Sequence, residues 1–485
     1  MVRFSFGGEQ IQMSEKTPEK KNNGDLERRL GLFDSTMIVM GVVIGGAVFY
    51  TTGIMAQNLP SAPLILLVWT LGGLLSLFGA LIYAELGAAM PKAGGQYVYL
   101  SKAFGPLSGF LFGWAYGFVS ISGVIAVLAV GLSEYLSYFI PYLSLEKFIY
   151  SSQINIFNLE FHFSLSTGQI TAISVIIIIT LINFRGMGIG KLIQNMFTVI
   201  KIGTIVAFIL LGITFGKKIP MNLSLNPTGL DINQLIGGLG IALVTASLAY
   251  AGWEHLNFIA GEIKNPKRNL PVALISGTLG VTILYVIINY IYVRALPVEE
   301  MSGVIRVAEK STAALFSEAA SGFVSAAVIF SIIGTLNGVI LSTPRIYYAM
   351  AKDKLFFKKV AELHPRYHTP GFALLLQAVW ASFLVLSGTF KQLITFVMFI
   401  IILFWMVTAA SVFKFRKKYP EMPRPYKTWG YPLIPIVFIL ATLGILVNTV
   451  IEQPGESLAG VGMMIIGIPV YFFWAKRRKT SGTSD

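Results

Sequence analysis

Apolar runs of about eighteen residues or more alternate with short polar stretches along almost the whole chain. They fall near 34–55, 62–90, 104–139, 167–184, 191–215, 232–262, 270–294, 319–351, 370–387, 392–415, 431–451 and 457–475. At 1.5 Å per residue, about twenty helical residues cross a 30 Å hydrocarbon core. The pattern therefore predicts an all-α membrane protein of about twelve transmembrane helices. Three polar stretches stand out between the runs. Residues 140–166 mix Pro141, Asn155 and Asn158 with aromatics and are expected to lie along the membrane interface. Residues 295–318 predict a short surface helix. Residues 418–432 hold Pro420, Pro423, Pro425 and Pro432, which predicts a stiff extended connector. Residues 1–30 read as a charged, disordered tail. Met13, followed by Ser14-Glu15-Lys16, is a candidate start, so residues 1–12 are expected to be dispensable.

Composition agrees with the pattern. The chain has 485 residues, is 55% hydrophobic and only 12% charged, whereas soluble domains carry about 25% charge. A net charge of +14 would suit nucleic acid if it formed one patch. Instead the basic residues gather in every second loop, which excludes nucleic acid and places both termini in the cytoplasm of a plasma (inner) membrane protein. There is no cysteine, hence no disulfide, no thiolate chemistry and no Cys-ligated metal. The four histidines show no metal-ligand spacing, so neither metal nor cofactor is expected. No nucleophile–base constellation supports an enzyme.

Two of the apolar segments carry weak points near their centres. In the first, Gly41-Val42-Val43-Ile44-Gly45-Gly46-Ala47-Val48-Phe49 clusters glycines, each costing a helix about 1 kcal/mol relative to alanine. Gly45 lies eleven residues beyond Asp34, about 16 Å along a helix and so near the bilayer centre. The sixth segment would be about 46 Å long if wholly helical, and Ser247-Leu248-Ala249-Tyr250-Ala251-Gly252-Trp253-Glu254 supplies small residues at its middle. The two segments enter from opposite sides. They predict an inverted repeat, residues 31–215 and 216–418, with two further helices in 419–476 and a tail over 477–485. Unwound backbone at mid-bilayer survives only where it lines a cavity or is wrapped in protein. Free N–H groups there suit an anion and free carbonyls a cation, as an amino acid zwitterion requires. Two unrelated packing seams are the competing reading.

Several motifs in order carry a resemblance. They are Ile44-Gly45-Gly46-Ala47-Val48-Phe49, Tyr83-Ala84-Glu85-Leu86-Gly87, Pro91-Lys92-Ala93-Gly94-Gly95-Gln96-Tyr97 and Gln194-Asn195-Met196-Phe197-Thr198-Val199-Ile200-Lys201. Tyr250-Ala251-Gly252-Trp253, Glu262 through Pro271, Asn337 through Met350 and Arg424-Pro425-Tyr426-Lys427 complete the set. The chain resembles the amino acid–polyamine–organocation superfamily over residues 28–475, and within it the L-type amino acid transporters and bacterial serine/threonine-exchanger-like permeases. The resemblance implies a five-plus-five inverted repeat of the leucine-transporter (LeuT) type, with helices 1 and 6 broken at the midplane, and amino acid transport by alternating access. It departs at Ala47, where the motif usually ends in glycine, and at Leu248, where many relatives place an aromatic gate. Relatives joined by a cysteine to a helper glycoprotein have no counterpart here, since a disulfide-linked heavy subunit needs a cysteine.

The candidate substrate site comprises Val43, Ile44, Gly45, Gly46 and Ala47 with Leu248, Ala249, Tyr250, Ala251, Trp253 and Glu254. Lys201 lies about 15 Å into its segment, where an ammonium costs about 3 kcal/mol unless paired. In resembling transporters a lysine here stands in for a sodium ion; loss of its proton could couple transport to H⁺. Glu254 has three open roles: meeting a substrate amine, pairing with Lys201, or binding a proton. Facing an aqueous vestibule is a fourth. Ser331, Thr335 and Asn337 could set polar groups near Lys201, and Trp405 is a pocket candidate by resemblance. Glu85 and Glu262, beside basic loops, are expected to form gate-side ion pairs. The leading function is a sodium-independent secondary transporter of neutral L-amino acids in the lipid bilayer, as an exchanger or proton-coupled importer. The alternatives are a carrier of cationic amino acids or polyamines and an amino acid-sensing receptor.

Overall fold

The computed structural model describes residues 26–480 except 157–158, 218, 227–228, 305 and 388–389. The expectations for residues 1–12, most of the first tail and residues 481–485 lie outside it. Among the described residues, ten helices are long and apolar enough to cross a membrane, and two shorter apolar helices bring the number to twelve. We number these α1 (Leu32–Val43, resuming as Thr51–Asn58), α2 (Ala62–Ala89), α3 (Pro106–Leu136), α4 (Thr167–Phe184), α5 (Met187–Thr214) and α6 (Ile232–Tyr250, resuming as His255–Phe258). The second half comprises α7 (Pro266–Ala295), α8 (Ser321–Lys352), α9 (Gly371–Ser387), α10 (Phe390–Lys418), α11 (Leu433–Glu452) and α12 (Pro454–Thr480). The protein is a multi-pass membrane protein.

Local sequence explains where several helices begin. Asp231 caps α6 by accepting from the Asn233 and Gln234 N–H groups at 2.8 and 2.9 Å. Ser166 and Gln169 cap α4 reciprocally, each side chain accepting from the other's backbone N–H. Within α3, residues Phe112–Ser120 adopt the wider π-helical winding, a feature that recurs at functional sites.

The broken first helix sits at the centre, packed on α5, α7 and α8. Small residues permit this. A side chain at Gly41 would strike Thr198 and Gln194 of α5, and one at Gly338 of α8 would strike Val42. A buried amide cluster joins α4, α5 and α8: Asn183 donates to Asn337 at 2.9 Å, and Asn337 donates to Gln194 at 2.9 Å.

Two of the polar stretches carry structure that the sequence pattern did not predict. Residues 140–166 contain an antiparallel hairpin, β1 (Phe148–Ile156) and β2 (Leu159–Ser166), in register from Ile156↔Leu159 back to Tyr150↔Leu165, with a shift before Phe148↔Ser166. The connector 418–432 is folded rather than extended. The Arg424 guanidinium gathers the carbonyls of Phe415, Tyr419, Pro420 and Met422 at 2.9–3.1 Å, which offsets the missing backbone bonds of a proline-rich turn. Residues 295–318 form two short helices, Val298–Met301 and Val307–Leu315.

Candidate functional site

The first break is compact. α1 ends at Val43, Ile44 leaves helical geometry (ψ 83°), and a tight turn at Ala47–Phe49 precedes the restart at Thr51. The carbonyls thereby released are taken up by side chains of three neighbouring helices. Lys201 Nζ of α5 donates to Gly41 O and Ile44 O, both at 2.7 Å, and to Ser331 O at 3.1 Å, with Thr335 Oγ1 3.3 Å away. Ser331 Oγ of α8 donates to Ile44 O at 3.0 Å or Gly45 O at 3.2 Å, and Tyr285 of α7 donates to Val43 O at 2.9 Å. Lys201 is 1% exposed and its positive charge meets only oxygens. Such wrapping answers both the cost of an ammonium at this depth and the cost of unpaired carbonyls. Gly46 and Ala47 open the turn, so their N–H groups have no helical acceptor.

The second break follows Tyr250. Ala251 is extended, and Gly252 takes φ +119°, a conformation side chains rarely adopt; a Cβ there would also lie 2.7 Å from Val42 Cγ1. The two breaks therefore touch, Gly252 against Val42. Just beyond, Glu254 is 1% exposed. Its Oε1 accepts from Tyr116 Oη at 2.7 Å and Trp405 Nε1 at 3.0 Å, and its Oε2 accepts from the Gly252 N–H at 3.0 Å. One carboxylate thus ties α3, α6 and α10 together. His255 points elsewhere, to Ser342 Oγ at 2.7 Å.

A cavity of about 370 Å³ lies between the breaks and extends along α3 to Glu134 and Tyr135. Of the residues expected at the site, Val43, Gly45, Gly46, Ala47, Leu248, Ala249, Ala251, Glu254 and Thr335 line it. Ile44, Tyr250, Trp253, Lys201, Ser331, Asn337 and Trp405 stand behind that lining. Tyr250 packs between Trp69 and Tyr285 and donates to Trp69 O at 2.9 Å, while Trp253 is edge-on to Tyr83 and tilted against Trp405. Asn337 belongs to the amide cluster. Sequence reasoning did not single out Tyr50, Tyr116, Val124, Leu128, Ile332 and Met398, which also belong to the wall.

The other side of the breaks is shut. Arg345 of α8 and Glu262 form a buried pair, Nε to Oε1 at 2.7 Å and Nη2 to Oε2 at 3.2 Å. Leu30 and Ile263 bridge backbones beside it: Leu30 donates to Glu262 O at 2.9 Å and Lys264 donates to Leu30 O at 2.8 Å. Asp34 adds a contact to Lys191 at 2.9 Å. Glu85 is likewise paired, to Arg416 at 2.6 and 3.0 Å, and accepts the Thr428 N–H at 2.7 Å.

Twelve apolar helices, two of them unwound beside a central cavity, define a membrane transporter of the broken-helix type. The amino acid permease family model matches residues 30–474, and the chain belongs to that family. It is 30% identical over 464 residues to the serine/threonine exchanger SteT of Bacillus subtilis, covering 94% of this chain and 99% of that one. It is 30% identical to the large neutral amino acids transporter small subunit 2 of Homo sapiens, over 98% of this chain and 85% of that one. The cystine/glutamate transporter of Homo sapiens is 29% identical over 98% of this chain and 91% of its own length.

Proposed function

We propose that this protein is a sodium-independent carrier of neutral L-amino acids, working by alternating access in a cell membrane with both termini cytoplasmic. One observation carries the reading: Lys201 Nζ occupies the carbonyl end of the broken first helix, with four oxygens between 2.7 and 3.3 Å. A site so filled needs no sodium ion. The relatives named as amino acid exchangers and transporters support the substrate class.

The zwitterion then divides between the two breaks. Its carboxylate would meet the N–H groups of Gly46 and Ala47, reinforced by the half-helix dipole, whereas the Gly45 N–H already donates to Val43 O at 2.7 Å. Its amine would meet the carbonyl end of the first half of α6, around Ala249, Tyr250 and Ala251, because the α1 carbonyls are already in use. Residues 31–215 and 216–418 serve as the two repeats that rock about the site, with 419–476 appended. The Arg345–Glu262 pair would be the closed cytoplasmic gate, which makes this an outward-facing state. A neutral substrate is favoured over a cationic one because both Glu254 oxygens already hold donors.

The test is uptake of labelled L-amino acids into proteoliposomes, with external Na⁺ exchanged for choline. Rates should be unchanged. A steep dependence on Na⁺ would overturn the assignment of Lys201.

A further inference from the structure

The connector between α10 and α11 carries more positive charge than its neighbours balance. Residues 414–433 hold Lys414, Arg416, Lys417, Lys418, Arg424 and Lys427 against one acidic residue, Glu421. The two arginines are already engaged. Both face Glu85 of α2, Arg416 at 2.6 Å and Arg424 at 3.4 Å, and Arg424 also gathers the carbonyls of the connector. One buried carboxylate thus answers two guanidinium groups. The four lysines are exposed, and among the described residues none of them forms an ion pair.

Three of these lysines share a face. Lys414, Lys417 and Lys418 stand at i, i+3 and i+4 in the last turns of α10. Lys414 Nζ lies 4.9 Å over the ring of Phe104, which immediately precedes the start of α3, so the positive end of that helix adds to the same field. Depth decides what meets this face. Residues 393–413 of α10 carry no charged side chain, and a helix of that length spans about 31 Å, the thickness of the hydrocarbon core. Lys414 to Lys418 therefore emerge at headgroup level. At the other end of the connector Trp429 is 75% exposed and Leu433, the first residue of α11, 66%. A bare tryptophan just outside an apolar span is an interfacial anchor. The connector presents cations and apolar side chains together, at the depth where a lipid offers an anion and acyl carbons together.

We propose that this connector is a binding surface for anionic phospholipid headgroups, held by Lys414, Lys417, Lys418 and Lys427 with Trp429 set among the upper acyl carbons. Lysine suits the role, because its ammonium is a point charge on a flexible stem that follows a phosphodiester through small shifts. The planar arginines are kept for the fixed carboxylate of Glu85. Binding selects negative headgroups and is screened by salt, since every lysine involved is exposed. Arg416 and Arg424 belong to the same connector, so a lipid held there steadies the clamp between α2 and α10. The surface lies outside the cavity and is independent of what the protein carries.

The experiment uses the full chain in phosphatidylcholine vesicles that contain a small, fixed fraction of phosphatidylglycerol. Bromine is placed near the ester end of the acyl chains of one lipid or the other. It quenches nearby indoles, and Trp429→Phe, measured alongside, isolates the Trp429 signal from the seven tryptophans. Both leaflets carry the probe, so vesicle orientation does not matter. At equal mole fraction, quenching of Trp429 should report local enrichment of phosphatidylglycerol over phosphatidylcholine of roughly fivefold or more. Molar salt should remove the preference. Lys414→Gln, Lys417→Gln, Lys418→Gln and Lys427→Gln together should remove it at low salt, whereas the matching four Lys→Arg replacements should keep it. Equal quenching by the two lipids in the intact protein overturns the proposal, as does a preference that persists in molar salt or in the glutamine set. If the glutamine set does not fold, the salt series on the intact chain decides. Inorganic phosphate should leave the preference unchanged at constant ionic strength; its loss there would overturn the lipid in favour of a soluble anion.

Discussion

At the scale of single residues, Lys201 shows how one side chain can make unwound backbone tolerable at mid-bilayer. Its ammonium answers Gly41 O and Ile44 O at 2.7 Å each, so both carbonyls would be left without their charged donor in Lys201→Ala. Two charge-assisted bonds are worth about 1.5–3 kcal/mol each, which corresponds to at least about a hundredfold in an equilibrium. Lys201→Ala is expected to lower initial uptake by that order in vesicles matched for inserted protein. Uptake within threefold of the parent would show that Ser331, Thr335 and Tyr285 suffice.

At the scale of elements, the two breaks are built differently. Gly46 keeps φ −69°, which any residue can adopt; what confines it is Ile332, whose Cγ1 would lie 3.3 Å from an added Cβ. Gly252 is the conformationally special position, at φ +119° and against Val42. Gly252→Ala should therefore damage uptake far more than Gly46→Ala, as initial rates on inserted protein would show; equal effects would mean that the second break can rewind. Gly46→Val should still abolish uptake, through crowding against Ile332. The carboxylate site belongs to the same scale. Methyl esters of transported amino acids lose an anionic acceptor worth about 1.5–3 kcal/mol, so they should compete roughly ten- to a hundredfold less well. Esters competing as well as the parent acids would return the glycines of α1 to a packing role.

At the scale of the whole molecule, closure on one side rests on few groups. Removing one partner of a buried ion pair costs about 3–5 kcal/mol because the other charge stays uncompensated. Arg345→Gln would leave Glu262, 2% exposed, in that position. Because the chain has no cysteine, a single Ala260→Cys reports opening of this side without background. Ala260 is fully buried, so a membrane-impermeant thiol reagent applied to the side that the Arg345–Glu262 pair closes should label it slowly. Adding Arg345→Gln should speed labelling at least severalfold; equal rates would remove this pair from the gate.

What the sequence determined by itself follows from interactions that are local along the chain. Hydrophobic runs matched to a bilayer thickness set the number and limits of the helices, because a lipid-facing backbone must pair within its own segment. A glycine cluster marked the first break and small residues in an over-long segment marked the second, and the depth of Lys201 implied a wrapped ammonium before any partner was visible. Even the hairpin was legible in principle, since Leu159-Glu160-Phe161-His162-Phe163-Ser164-Leu165-Ser166 alternates strictly, but the pull of an otherwise helical chain obscured it. Only the tertiary structure decided what a side chain at a broken helix faces. Glu254 could point in several directions, and its partners Tyr116 and Trp405 lie 138 and 151 residues away in the chain. Likewise, that the α1 carbonyls are used up depends on α5, α7 and α8 converging on one turn. Periodicity names the face a helical residue occupies; where the helix stops, packing from distant segments takes over that choice.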